Sequence, residues 1–186
     1  MQFSHLHVHT QYSLLDGAAS IQKLFEKVKE DGMEAIAISD HGNMYGIPEF
    51  VAEAQKQNIT PIIGCEFYLA PHGRFEKKKI SNPDSDIKNF YHQLLLAKNK
   101  IGYKNLCKLS SLGFTEGFYY KPRIDKELIW QYHEGIIATS CCLAGEVNQA
   151  ILYREEKEAE KLFLQWLDIF GDDYYIEIQR HGIKEQ

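Results

Sequence analysis

Apolar and polar residues along the chain change period in a way that lays out its elements. Leu24, Phe25 and Val28 repeat at helical spacing after Ser20, a side chain suited to capping, and the pattern stops at Gly32. Residues 35–38 are an apolar run of strand length, a second helix is predicted over about 47–57, and residues 61–69 read as a further strand with a carboxylate, Glu66, in its middle. Residues 71–89 are polar and turn-rich, and read as an exposed loop. Residues 89–97 return to strand with His92 at the start, and residues 102–112 form the next helix. Residues 117–125 form a loop with three aromatics and two cations, and Asp125 is placed to cap a short helix reaching His133. Residues 135–140 make another apolar strand, followed by helices over 143–153 and 157–170. The second carries Leu162, Phe163, Trp166, Leu167 and Phe170 along one stripe, and residues 174–179 form a last strand. Strand-helix alternation with short turns predicts an α/β fold, a parallel sheet or β/α barrel, with ligands at the carboxyl ends of strands.

The first strand of that series holds the densest chemistry. His5, His7 and His9 alternate, so a strand would turn all three to one face. Three of the eight histidines on one short strand point to a metal site, since imidazole is the commonest metal-ligating side chain. Asp40 and His41 close the next apolar strand; His41 is a ligand candidate and Asp40 its supporting partner. Glu66 is flanked by Cys65 and Phe67, and a carboxylate in an apolar strand calls for a partner or a metal to bridge. His92 and His181 also sit at strand termini, each alone. Cys142 reads equally as a metal-bound thiolate and as a buried thiol. Lys121 and Arg123 fit either a solvated loop or, beside a metal cluster, an anionic substrate such as phosphate.

Composition narrows the partners. With 186 residues and 44% hydrophobic content the chain suits one domain spanning 1–186. A net charge of -5 argues against a surface that grips nucleic acid along its whole length, so a nucleic-acid substrate would be met locally. Four cysteines, two of them adjacent, make no disulfide framework. With no apolar run of about 20 residues and no leader-like start, the expectation is a cytoplasmic protein without membrane contact.

Several segments together resemble a known family. His7-Val-His9-Thr10, Tyr12-Ser-Leu-Leu-Asp16-Gly17, Ser39-Asp40-His41-Gly42-Asn43 and Gly64-Cys65-Glu66 are similar to motifs of the polymerase-and-histidinol-phosphatase (PHP) domain. The segments around His92, 117–125 and 140–146 resemble the form found at the N-terminus of bacterial DNA polymerase III alpha subunits. The resemblance implies a distorted β/α barrel around up to three divalent metals, zinc, manganese or iron. It implies the ligands His7, His9, Asp16, His41, Glu66, His92 and Cys142, with Asp40, Lys121 and Arg123 assisting catalysis and His5, Cys141 and His181 nearby. This chain has Ser140-Cys141-Cys142 where the family usually shows Ser-Gly-Cys, so Cys141 competes for the ligand role. Two further family ligands, an Asp-x-His, have no counterpart before Gln186, which implies a domain truncated at its C-terminal end. The implied activity is metal-dependent phosphoester hydrolysis, specifically 3′-5′ exonuclease action on a primer terminus, with the rest of a polymerase chain and other replisome subunits as partners. The rival reading is a catalytically silent module that stabilises a polymerase; a small-molecule phosphatase is disfavoured by the polymerase-like segments.

Overall fold

The computed structural model describes residues 3–78 and 89–185. Most of the expected loop at 71–89 therefore lies outside the described residues. The elements are α1 (Ile21–Glu30), β1 (Ala35–Ile38), α2 (Ile47–Gln57), β2 (Thr60–Leu69), β3 (Tyr91–Ala97), α3 (Lys100–Thr115), β4 (Arg123–Ile124), α4 (Lys126–Gln131), β5 (Ile136–Thr139), α5 (Glu146–Tyr153), α6 (Glu156–Phe170) and β6 (Tyr174–Tyr175). The local signals behave as their chemistry requires. Ser20 Oγ accepts from the Lys23 amide, Asn99 from Ile101 and Gly102, and Asp125 from Leu128, so three helices begin on side-chain caps.

The fold is α/β with a mixed sheet in the order β1-β2-β3-β5-β6, and β4 pairs with β2 off that path. β1–β2, β2–β4 and β5–β6 are parallel, whereas β3 is antiparallel to both β2 and β5. Among the described residues no helix separates β2 from β3, and a strand that returns without a helical crossover runs antiparallel. This reversal places the N-terminal end of β3 beside the C-terminal ends of its neighbours, with His92 paired to Tyr68.

Two large apolar cores flank the sheet, and a smaller cluster joins Ala37, Leu94, Leu96 and Cys141. One joins Phe25 and Phe50, whose ring centroids are 4.9 Å apart, with Ile36, Ile38 and Ile47 under α1 and α2. The larger buries Phe67, Leu95, Leu106, Ile129, Leu162 and Trp166 between the sheet and helices α3 to α6.

Three sequence expectations are corrected. The histidine segment 5–9 is not a regular strand: it bends at Leu6–His7, the His5 carbonyl accepts from Ala37 of β1, and Val8 exchanges hydrogen bonds with Ser39 just beyond it. The last strand pairs only over Tyr174–Tyr175, although the chain keeps contact with Ser140 through the Glu177 amide. On α6, Leu167 is exposed while Leu162, Trp166 and Phe170 are buried, because the stripe facing the core is narrower than the apolar pattern.

Candidate metal centre

The site is built around one carboxylate. Glu66 lies in β2, buried to 1% exposure, with its backbone tied to the 40–42 turn: its amide donates to Asp40 O and its carbonyl accepts from Gly42. That turn depends on Gly42, whose φ of +65° is left-handed and whose missing Cβ would collide with Tyr68 and Pro122. On one side of Glu66, Oε2 faces three imidazole nitrogens: His9 Nε2 at 2.7 Å, His41 Nδ1 at 3.0 Å and His7 Nε2 at 3.1 Å. On the other, Oε1 meets His92 Nδ1 at 2.9 Å, Cys141 Sγ at 3.3 Å and Cys142 Sγ at 3.4 Å. Asp16 stands at the exposed rim, its Oδ2 3.1 Å from His9 Nδ1 and 2.9 Å from His41 Nε2. Donor atoms within 4.8 Å of one another form four overlapping groups: His7-His9-Glu66, His9-Asp16-His41, His41-Glu66-His92 and Glu66-Cys141-Cys142. Residues 135 positions apart in sequence thus meet at one carboxylate.

The polar atoms at the centre do not satisfy one another. His9 Nε2, His41 Nδ1 and Glu66 Oε2 are buried without a well-formed hydrogen bond, despite their close approach. A carboxylate only accepts, and so does the bare nitrogen of a neutral imidazole. Lone pairs converging on a buried point are costly unless a cation lies among them. The imidazole, carboxylate and thiolate donors present suit a borderline transition-metal ion.

Charge states follow from this crowding. Burial alone would raise the Glu66 pKa, but His7, His9 and His92 hold its carboxyl far below the usual range. Burial likewise works to lower His7 and His92, yet His7 is pushed up to about 10 by Glu177 and Glu66. His92 is pushed up to about 9 by Cys142 and Glu66. His9 is also raised, by Glu66 against its burial, whereas burial lowers His41. The two thiols diverge. The Cys141 hydrogen bond, with His92 helping against burial, brings Cys142 down to about 5, while burial pushes Cys141 up. Cys142 is thus the more acidic of the two thiols.

The other singled-out residues are placed differently. Asp40 does not touch the cluster: Oδ1 accepts from the Thr10 amide at 2.6 Å and Oδ2 from Thr10 Oγ1 at 2.8 Å, which fixes the segment carrying His9. That contact matches the supporting place expected of it beside His41. Arg123 is turned into the protein, donating to the carbonyls of Gly117, Arg74 and Glu76, so its guanidinium is unavailable to a phosphate. Lys121 lies with Nζ 5.2 Å from the centroid of Tyr68, whose ring stacks on His41 at 5.7 Å. His5 turns out against Phe3, because the bend at Leu6–His7 breaks the expected alternation. His181 is exposed and belongs to none of the ligand groups among the described residues.

Sequence reasoning missed Glu177 and Gln179. Glu177 Oε1 lies 2.6 Å from His7 Nδ1, its Oε2 accepts from Thr139 Oγ1, and Gln179 Nε2 donates to Oε1 at 2.7 Å. Such a carboxylate sets which imidazole nitrogen is left to face Glu66. The alternation of polar Glu177 and Gln179 with Ile176 and Ile178 was the available signal.

Comparison with known proteins identifies the family. The family model described as the PHP domain matches residues 5–181. DNA polymerase III subunit alpha of Borreliella burgdorferi is 49% identical over 185 residues, covering 100% of this chain and 16% of that protein. The same subunit of Treponema pallidum is 46% identical over 187 residues, with 100% and 16% covered. That of Chlamydia pneumoniae is 50% identical over 182 residues, with 97% and 14% covered. The chain thus spans about one-sixth or less of the length of these curated relatives. The resemblance read from its motifs is borne out, and the chain belongs to the PHP domain family.

Proposed function

We propose that this chain is a divalent-metal-dependent phosphoesterase module acting on the 3′ end of DNA. The observation that carries the reading is the set of orphaned polar atoms on His9, His41 and Glu66, within overlapping groups of eight potential ligand residues. His7, His9, Asp16, His41, Glu66, His92 and Cys142 would hold up to three ions, of zinc, manganese or iron. Glu66 would bridge, since its two oxygens face different donor sets. Bound metal supplies Lewis acidity toward a phosphoryl oxygen and lowers the pKa of a water.

The chain's own residues do the rest. Asp40 and Thr10 hold the His7–His9 segment in register, and Glu177 orients His7. Cys142 contributes a thiolate, with the Cys141 thiol donating a hydrogen bond beside it. Lys121, at the rim over Tyr68, offers a cation to an incoming phosphate. DNA as substrate rests on the relatives, which are DNA polymerase subunits; the same relation implies a longer polymerase chain and replisome subunits as partners.

The test is nucleotide release from a 3′-labelled primer with added zinc or manganese, alongside metal content by mass spectrometry. Metal-dependent release that His9→Ala abolishes is the expected result. Metal bound stoichiometrically but no hydrolysis with any ion would replace the enzyme with a metal-stabilised structural module.

A further inference from the structure

The loop 117–123 between α3 and β4 presents aromatic rings in an arrangement the metal centre does not need. Its base is fastened: Arg123 donates to Gly117 O at 3.1 Å and Glu76 O at 2.9 Å, and the Tyr119 amide donates to Lys121 O at 3.0 Å. Tyr119 folds back, its ring 5.1 Å from the Arg123 guanidinium. Tyr120 does the opposite. It is 82% exposed and held at φ +58°, a left-handed conformation that strains a residue with a side chain. Phe118 beside it is half exposed and stacks on Phe114 at 6.3 Å, and Phe114 meets Tyr45 at 5.9 Å. Tyr45 lies exposed on the loop that leaves His41. The loop adjoins the metal centre through Lys121, over the Tyr68 ring that stacks on His41, while Tyr45 follows His41 by four residues and Tyr120 meets Tyr119 edge-on at 4.7 Å.

We infer that Phe118, Tyr120 and Tyr45 form a stacking platform for the bases of single-stranded nucleic acid whose terminal phosphate reaches the metal centre. The inference rests on the proposed phosphoesterase reading and extends it to how substrate is held. Exposed rings suit bases, because every base offers a π-face, and the adjacent cation Lys121 suits the backbone. The strand must be single, since paired bases are already stacked on one another. A local aromatic platform also explains how a chain of net charge -5 meets a polyanion without a basic surface.

The experiment measures binding by anisotropy with dye-labelled dT12 carrying phosphorothioate linkages, which resist cleavage, against an abasic strand of equal length. Hydrolysis of bis(p-nitrophenyl) phosphate with manganese is followed in parallel as a readout of the metal centre alone. Tyr120→Ala and Phe118→Ala should each weaken dT12 binding roughly tenfold, with Tyr120→Trp restoring it, and leave the abasic strand and the small diester unaffected. Unchanged dT12 affinity in both variants, or equal loss for dT12 and the abasic strand, would overturn the platform. If small-diester hydrolysis persists in that case, the phosphoesterase reading survives it. If the wild-type chain never hydrolyses the diester yet the variants still lose dT12 selectively, the platform stands and the phosphoesterase reading falls.

Discussion

Two buried ionic clusters in this molecule look alike in composition and differ in how their polar atoms are matched. In the first, Arg74 donates to Glu116 at 2.6 Å, to both Asp125 oxygens at 3.0 and 3.1 Å, and to Glu127 at 3.1 Å. Asp125 accepts in addition from the Arg74 and Leu128 amides, which ties residues 74–76 to the start of α4. Donors there face acceptors, and the network is closed. In the second, three imidazole nitrogens crowd Glu66 Oε2, and His9 Nε2, His41 Nδ1 and Glu66 Oε2 are buried with no proper hydrogen bond. A closed network is architecture; an open one built of imidazole, carboxylate and thiol groups is compatible with a bound cation. The proportion of charged residues does not separate the two, whereas the donor-acceptor accounting does.

The sharpest way to break the comparison is to remove each centre. Glu66→Ala should abolish metal binding, a loss larger than the roughly 10–100-fold that changes in supporting residues cause. Metal content after gel filtration checks it, with circular dichroism to show the fold persists. Arg74→Ala should do the reverse: a destabilisation of about 3–5 kcal/mol from stranding a buried carboxylate, read by urea unfolding, with metal stoichiometry of the folded fraction unchanged.

Proton competition separates the clusters without mutation. In the metal-free chain His7 and His92 hold protons to about 10 and about 9, above the ordinary imidazole value of about 6.5. Their stabilising contribution is complete below pH 6.5 and is lost as pH climbs through 9 and 10. Metal must displace the same protons, so its affinity should rise over that window. Thermal melts with and without chelator should therefore diverge as pH is raised, and parallel curves would refute the shared ligands.

Smaller effects sharpen the picture. Asp40→Ala should cost about 10–100-fold in metal affinity by freeing Thr10, and Glu177→Gln should lie at the low end of that range, since glutamine still offers an acceptor to His7. Calorimetric titration with zinc distinguishes them. Ser20→Ala, remote from both clusters, should lower stability by about 1 kcal/mol through the lost α1 cap and leave metal affinity untouched.

Much of this molecule was legible from its residues because the signals are local. Helix caps at Ser20 and Asp125, the apolar runs of β1 and β5, and the buried carboxylate in β2 follow from neighbours a few positions apart. His7, His9, His41 and Glu66 announced metal chemistry by residue type and strand position. What tertiary structure alone decided is direction and pairing. The reversal of β3, which carries His92 to Glu66, depends on how the chain returns after β2. The bend at Leu6–His7 removes His5 from a face that simple alternation assigned to it. Arg123 reads from the sequence as a cation for phosphate, but charge does not say which atoms a side chain will meet once buried, and its guanidinium binds carbonyls. Glu177 reaches His7 across 170 residues, a contact set by how the segment after β6 packs along Ser140 and not by any spacing in the sequence. Residue chemistry is inherited from the sequence, whereas its partners come from packing, because burial forces each polar group to find whatever complement the fold brings near.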